Sequence, residues 1–367
     1  MTLVSLGWNA HFADSFRPYS TSDFVPARVA LEHKHAYQLL SAHGELTAEC
    51  TGRLLHGAST RGELPAVGDW VVARLRPGES LSCPGQRQRA DIHAVLPRLT
   101  KFSRRAAGDA DTEQIVAANV ETVLLVTALD QNFNLRRIER YLAVTRESGA
   151  EPVVVLNKAD LHPDPETAMA EVESVAGGAA VVTLSAGRGE GLHALNPWLV
   201  PGRTLAVLGS SGVGKSTLIN CLLGEEHLAT AAISEAVGKG RHTTTHRELI
   251  VTPGGVLVID TPGMRELQLW DVEAAAIDFT FTEIMALAAR CRFSDCSHRS
   301  EPGCAIQEAL EDGSLEFDRW QSYQKLQREQ AHAARRSSPQ LARETRNEWK
   351  KLHKQAREHT RMKRGEE

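Results

Sequence analysis

The segment from Gly209 to Ser216 contains the residue types needed to grip phosphate, in the order Gly-Ser-Ser-Gly-Val-Gly-Lys-Ser. Glycines let a chain curl so that its amides point at phosphate oxygens, and a following helix adds positive charge at its N-terminus. In such a loop Lys215 reaches the outer phosphates, where we expect it to act in catalysis, and the Ser216 hydroxyl binds Mg²⁺. The predicted phosphate-contacting residues are Gly209, Ser210, Ser211, Gly212, Val213, Gly214, Lys215, Ser216 and Thr217.

Two further segments predict contacts to the terminal phosphate and its metal ion. Asp260-Thr-Pro-Gly263 follows an apolar run, where the Asp260 carboxylate can hold a magnesium-bound water and the Gly263 amide can meet the γ-phosphate. Between this segment and the phosphate loop, residues 238–246 are rich in glycine and hydroxyl groups. Their run Thr243-Thr244-Thr245 can supply a second hydroxyl to Mg²⁺, and Thr244 is the favoured ligand. The alternative is a solvated loop.

The segment Asn157-Lys-Ala-Asp160 follows the apolar run 152–156 and predicts a base-recognition loop. The Asp160 carboxylate can accept hydrogen bonds from N1–H and the exocyclic amine of guanine, whereas adenine offers neither donor in that arrangement. We therefore expect GTP to be preferred, which argues against a P-loop ATPase or kinase. Asn157 would brace the loop and the Lys158 stem would cover the base. Ser185 and Ala186, after another apolar run, are predicted to present an amide to guanine O6.

A cluster of thiols and one imidazole predicts a metal centre. Cys291, Cys296, His298 and Cys304 fall within fourteen residues, which is the ligand set of a closed tetrahedral zinc site. Four protein ligands leave no open position for water, so the predicted Zn²⁺ is structural. The alternative is a group of reduced cysteines beside a surface histidine.

The elements that position these residues follow from the apolar pattern. Short strands at 46–50, 70–75 and 92–96, separated by Gly and Pro, favour a small barrel. Continuous apolar strands then alternate with amphipathic helices, which predicts a parallel sheet covered on both faces. The strands are expected at 122–128, 152–156, 180–184, 204–208 and 256–259, and the helices at 135–148, 166–176 and 215–223. Beyond 271 the pattern is helical.

The order of the motifs is unusual, because the base loops at 157 and 185 precede the phosphate loop at 209. A parallel sheet can be cut at one loop and its old ends joined without altering the site. The sequence therefore predicts a circularly permuted domain whose 238–265 segment runs directly into the C-terminal region, to which nucleotide state could be transmitted.

Length and composition agree with a multidomain globular protein. The 367 residues are 42% hydrophobic and 24% charged, with a net charge of -4. No secretory signal or long apolar run is present, so we expect a cytoplasmic monomer with no membrane partner. Residues 335–364 hold eleven Lys or Arg against three Glu. The predicted units are an extension (1–35), a small barrel (36–103), a GTPase domain (104–275), a zinc domain (276–330) and a basic tail (331–367).

Taken together, the motifs at 157–160, 209–217, 243–245 and 260–263 and the Cys-Cys-His-Cys cluster resemble the RsgA (YjeQ/YloQ) family of circularly permuted GTPases. The resemblance covers roughly residues 35–330. It implies an N-terminal OB-fold, a central GTPase domain and a C-terminal α-helical zinc domain. It also implies GTP hydrolysis to GDP and phosphate, stimulated by the small ribosomal subunit, with rRNA contacts late in maturation of that subunit.

The same segments predict how hydrolysis is controlled. Met264 follows Gly263 at the position where Ras-like enzymes carry a water-orienting glutamine, so we expect slow intrinsic hydrolysis. His242 is the candidate for positioning the attacking water, the alternative being a solvated loop histidine. The basic tail is either a solvated amphipathic helix or a contact to RNA backbone. The rival to a GTPase switch is a non-catalytic, nucleotide-regulated RNA-binding module.

Overall fold

The computed structural model describes residues 1–20, 23–33, 36–76, 88–105, 113–131, 133–224, 247–260, 277–278, 280–299 and 301–337. Its N-terminal part contains α1 (Ala10–Phe16), β1 (Phe24–His33), β2 (Ala36–Ser41), β3 (Gly44–Cys50), α2 (Gly52–Gly57), β4 (Trp70–Leu75) and β5 (Gln88–Val95). No helix within the described ranges combines the length and the apolar character needed to cross a membrane.

The five N-terminal strands form a closed barrel. Their order is β1-β2-β3-β5-β4, and β4 pairs back onto β1. Alternate side chains such as Val29, Leu39, Leu46, Val71 and Ile92 point inward and are fully buried. The strand order, with a helix between β3 and β4, is the predicted OB-type barrel.

The first strand lies within residues 1–35, which the sequence predicts to be an N-terminal extension, so that prediction is wrong for Phe24–His33. Pro26 in β1 argues against a strand, yet its neighbours Val25 and Ala27 pair with β4 at Ala73 and Val71. The residues before β1 are also packed. Trp8 and Phe12 of this segment contact Trp70 at centroid distances of 4.7 Å and 5.8 Å.

The central part contains a six-stranded layer with the order β10-β9-β8-β11-β13-β12. Its elements are β8 (Thr122–Ala128), α3 (Leu135–Glu147), β9 (Glu151–Asn157), α4 (Pro165–Ala176), β10 (Ala180–Thr183), β11 (Thr204–Leu208), α5 (Lys215–Leu223), β12 (Glu248–Val251) and β13 (Leu257–Asp260). Before it, β6 (Lys101–Arg105) and β7 (Glu113–Ala118) form a separate hairpin. The strands are parallel as predicted, except that β12 is antiparallel to β13.

The burial pattern explains why these segments form a two-sided sheet. All residues of β8 and β11 are buried, as expected of parallel strands covered on both faces. One apolar layer includes Leu142 of α3 and Val172 of α4, and the other includes Leu218 of α5. The N-cap side chain of Asn134 fixes the start of α3 by accepting a hydrogen bond from the Arg137 amide.

The C-terminal part is helical, as predicted, with α6 (Thr282–Ala288), α7 (Ala305–Glu311) and α8 (Phe317–Ser337). Its core includes Phe281, Ile284, Ile306 and Trp320, all buried, and Ala143 of α3 packs into the same cluster. The C-terminal helices are therefore seated on α3.

The barrel and the central sheet are joined into one continuous sheet. Leu31 of β1 pairs with Glu248 of β12. Beside this joint, the fully buried Arg28 guanidinium donates to the carbonyls of Leu6, Gly68 and Asn119, so it ties three segments together. Burial lowers the pKa of Arg28 to about 10, and the carboxylates of Glu121 and Asp69 oppose that shift.

Candidate functional site

The phosphate loop follows β11 and ends in the first turn of α5, in the strand–loop–helix context that its sequence predicts. Gly209 has a φ of 156°, and a Cβ there would lie 2.2 Å from the Val126 carbonyl oxygen, so only glycine fits. Lys215 is 8% exposed, and its ammonium donates to the carbonyls of Gly209 (2.7 Å) and Ser210. The loop therefore curls around its own lysine.

Asn157 connects the three predicted loops. It ends β9 and is 2% exposed. Its Nδ2 donates to the Val213 carbonyl of the phosphate loop at 2.8 Å, and its Oδ1 accepts from the Ala186 amide at 2.9 Å. These bonds bring segments that are far apart in the sequence to the same edge of the sheet, at the carboxyl ends of the strands, where such folds bind ligands.

The Asp160 carboxylate lies on the rim beside this junction. Its Oδ1 accepts from the Ser185 hydroxyl at 2.6 Å, and Arg188 Nε lies 3.2 Å from its Oδ2. The Ser185 hydrogen bond, helped by the charges of Arg188 and Lys158, holds the pKa of Asp160 below its usual range. The group is therefore an acceptor at neutral pH, which is what recognition of two purine donors requires.

Lys158 and Ala159 tie the base loop to neighbouring segments. Lys158 adopts a left-handed φ of 60°, and its ammonium lies 2.8 Å from Asp130 Oδ2. The Ala159 amide donates to the Leu184 carbonyl, so the base loop and the Ser185–Ala186 loop are also joined through their backbones.

The predicted magnesium ligands are described only in part. Ser216 lies in the first turn of α5, and Asp260 ends β13, which pairs in parallel with β11 through Ala206 and Ile259. The register places the end of β13 beside the strand that leads into the phosphate loop. His242, the run Thr243-Thr244-Thr245 and Gly263 lie outside the described residues, as does the tail beyond 337.

The four predicted metal ligands meet in one cluster, between α6 and the start of α7. The ligand atoms of Cys291, Cys296, His298 and Cys304 all lie within 4.8 Å of one another. His298 Nδ1 is 3.5 Å from Sγ of both Cys291 and Cys304, and these two sulfurs are 3.9 Å apart. Ligands about 2.0–2.3 Å from a tetrahedral zinc lie about 3.3–3.8 Å apart, so the cluster fits a zinc ion.

Three charged side chains around the site belong to none of the sequence motifs and were not predicted. Arg137 of α3 donates to the Ser210 hydroxyl at 3.0 Å, Arg188 pairs with Asp160, and Asp130 pairs with Lys158. Arg188 lies in the same short loop as Ser185, so its contact with Asp160 could have been predicted from the sequence. Arg137 and Asp130 carry no motif, and only the adjacency of β8 and β11 places them near the phosphate loop.

The fold and the site together define a P-loop GTPase in which the guanine loops precede the phosphate loop, that is, a circularly permuted one. Comparison with known proteins agrees. The profile of the RsgA GTPase family matches residues 95–270. A protein from Opitutus terrae named "Small ribosomal subunit biogenesis GTPase RsgA" is 63% identical over 362 residues, covering 99% of each chain. The chain therefore belongs to the RsgA GTPase family, and it is a GTP hydrolase.

Solved structures show the same architecture. The crystal structure of YjeQ from Thermotoga maritima superimposes with a TM-score of 0.61 at 27% identity, over 84% of this chain and 98% of that one. The structure of YloQ, a circularly permuted GTPase, matches with a TM-score of 0.58 at 22% identity, over 85% and 96%. These matches confirm the predicted permuted fold with its N-terminal barrel of strands.

Proposed function

We propose that this GTPase acts on the small ribosomal subunit late in the maturation of that subunit, binding it in the GTP form and leaving after hydrolysis to GDP and phosphate. The proposal is supported by a relative that is named for small ribosomal subunit biogenesis and is 63% identical over 99% of this chain. Nucleotide binding is best supported by the two hydrogen bonds of the Asn157 side chain, which join the base loops to the phosphate loop.

In this proposal the nucleotide lies along the edge of the sheet where these loops meet. The amides of residues 209–217 and the Lys215 ammonium bind the phosphates, because inward-pointing donors at a helix N-terminus favour anions. Asp160 accepts from N1–H and the exocyclic amine of guanine, and the Ala186 region reads O6. The Lys158 stem covers the base.

Mg²⁺ would be held by the Ser216 and Thr244 hydroxyls, with Asp260 binding one of its waters. When bound, it neutralises charge on the β- and γ-phosphates. Gly263 donates its amide to the γ-phosphate. Met264 cannot orient a water, so His242 does so, and intrinsic hydrolysis is slow until the small subunit is bound.

The Cys291–Cys304 cluster would hold one structural Zn²⁺. The chemistry of the donor set supports this, since three thiolates and one imidazole complete a tetrahedron. His298 Nδ1 faces the sulfurs, its backbone carbonyl accepts from Gln307 at 2.7 Å, and Trp320 packs edge-on to its ring. The ion would contribute to folding of the C-terminal part.

Contacts to rRNA would come from the barrel and the basic tail. An OB-type barrel suits splayed or stacked bases, and the charge excess of residues 335–364 suits RNA backbone. We further propose that the protein works as a monomer in the cytoplasm.

GTP turnover measured with and without purified small subunits tests this proposal. We expect marked stimulation by the subunit, and more protein cosedimenting with subunits in a non-hydrolysable GTP analogue than in GDP. The non-catalytic alternative predicts no stimulation, and that result would refute the proposal.

Base selectivity is tested separately with Asp160→Ala. We expect the variant to lose its preference for GTP over ATP, while Asp164→Ala, which changes an exposed carboxylate that caps α4, retains it. Equal affinity of the wild-type protein for ATP and GTP would contradict the assignment of Asp160.

A further inference from the structure

Helix α3 lies between the phosphate loop and the C-terminal helices and contacts both. It starts beyond β8, whose neighbour β11 leads into the phosphate loop. Its other side packs against α8 and the segment before α6. These contacts of α3 are separate from the chain segment that connects the nucleotide domain to the C-terminal part.

On the nucleotide side, the contact is made by Arg137 in the first turn of α3. Its guanidinium donates to the Ser210 hydroxyl at 3.0 Å. Ser210 is the second residue of the phosphate loop, and its carbonyl accepts from the Lys215 ammonium. Arg137 is therefore bonded to the residue that also fixes the phosphate-binding lysine.

On the C-terminal side, the contact is made by Glu139, which is 2% exposed. Its Oε1 lies 2.5 Å from a guanidinium nitrogen of Arg319 and its Oε2 accepts from the Ser322 hydroxyl, both on α8. Arg319 also lies over the Phe281 ring at 4.2 Å and donates to the Thr280 carbonyl. A buried, paired carboxylate of this kind resists displacement because breaking it leaves an uncompensated charge.

Further ion pairs extend the same interface. Arg136 pairs with Asp318 at 3.0 Å, Arg140 pairs with Glu329, and Arg146 donates to the Thr280 hydroxyl. Residues two apart in an α-helix point about 200° away from each other, at 100° per residue. Arg137 and Glu139 thus face opposite sides of α3, as their different partners require.

We propose that α3 couples the C-terminal helices to the phosphate loop. In this coupling Arg137 positions the phosphate loop through Ser210, and Glu139 holds α3 against α8. The inference rests on the proposed placement of phosphate in the 209–217 loop. Because a short helix moves as a unit, displacement of α8 shifts α3 and changes the hydrogen bond to Ser210. Nucleotide binding to the loop in turn shifts the position of the C-terminal helices, since coupling between two sites is reciprocal.

The contact between Arg137 and Ser210 is tested by a double-mutant cycle on the Kd for fluorescent GDP. Arg137→Ala and Ser210→Ala should each raise the Kd about three- to tenfold, as expected for the loss of one hydrogen bond of ordinary net strength. The double variant should do no more than either single one. Arg137→Lys should restore part of the affinity, and Arg17→Ala, at an exposed arginine of the N-terminal segment, should have no effect.

The coupling is tested by adding Glu139→Gln to the wild type and to Arg137→Ala. We expect Glu139→Gln to raise the Kd about threefold in the wild-type background and to leave it unchanged in the Arg137→Ala background. Ser322→Ala, which removes one bond to Glu139, gives a milder form of the same test where Glu139→Gln fails to fold.

The outcomes separate the two proposals. If the wild-type protein does not bind GDP, the proposed nucleotide site is wrong. If it binds GDP, but Ser322→Ala and Glu139→Gln change only thermal stability or act equally in both backgrounds, the coupling through α3 is refuted while the nucleotide site stands.

Discussion

Replacing Asn157 by alanine removes the side chain that joins the base loops to the phosphate loop. The change deletes the hydrogen bond to the Val213 carbonyl and the one from the Ala186 amide, at a position that is 2% exposed. The loops would then have to be organised by the nucleotide itself.

The size of the effect follows from these two bonds. A net hydrogen bond contributes about 0.5–1.5 kcal/mol, and a buried backbone group left unpaired costs about 1 kcal/mol or more. For the two backbone groups, at about 1–2 kcal/mol each in loops that can rearrange, the total is about 2–4 kcal/mol. If this free energy must be regained when GDP orders the loops, the Kd rises about 30- to 1,000-fold.

Titration with fluorescent GDP measures this change directly, with circular dichroism as the check on folding. Asn9→Ala is a suitable control, because it removes an asparagine hydrogen bond at the N-cap of α1, away from the site. We expect its Kd to equal that of the wild type. An Asn157→Ala variant that is folded and binds GDP within about threefold of the wild type would refute the reasoning.

Three other perturbations have defined outcomes. Lys215→Ala should abolish GTP turnover with an unchanged circular dichroism spectrum; retained turnover would contradict its role. Cys296→Ser should lower the zinc content of the purified protein and the melting temperature of the C-terminal helices, whereas a full equivalent of zinc would exclude it as a ligand. Because its hydrogen bond from Ser185 lowers the pKa of Asp160, the carboxylate stays ionised, so the preference for GDP over ADP should be the same at about pH 8 and at about pH 5, where both nucleotides gain the same phosphate proton; a loss of that preference at the lower pH would contradict recognition by an ionised Asp160.

Motif residues were the most predictable part of the site, because their chemistry is local in sequence. Asn157 ends β9, Ser185 lies just beyond β10, and the loop that leads to Lys215 follows β11, and parallel strands bring such ends to one edge of a sheet. The metal cluster was predictable for the same reason, since Cys291 to Cys304 span one short segment.

Contacts between distant elements were not predictable. Arg137 lies 73 residues from Ser210, and Glu139 lies 180 residues from Arg319, with no local pattern to pair them. Likewise, β1 contains Pro26 and β12 is only four residues long, so neither has a strong strand pattern, and tertiary pairing determines both. The boundary predicted at residue 35 therefore cut through the barrel.

The joint between the barrel and the nucleotide sheet fixes the orientation of one relative to the other. Gly68 approaches the Ala118 carbonyl so closely that a Cβ would lie 2.1 Å from it, and Asn119 donates to the Gly68 carbonyl. Leu31 pairs with Glu248 across this seam, and the buried Arg28 lies beside it, so backbone pairing and buried hydrogen bonds hold the described residues on both sides together. RNA bound by the barrel, as proposed above, would therefore be held at a set angle to the proposed nucleotide site.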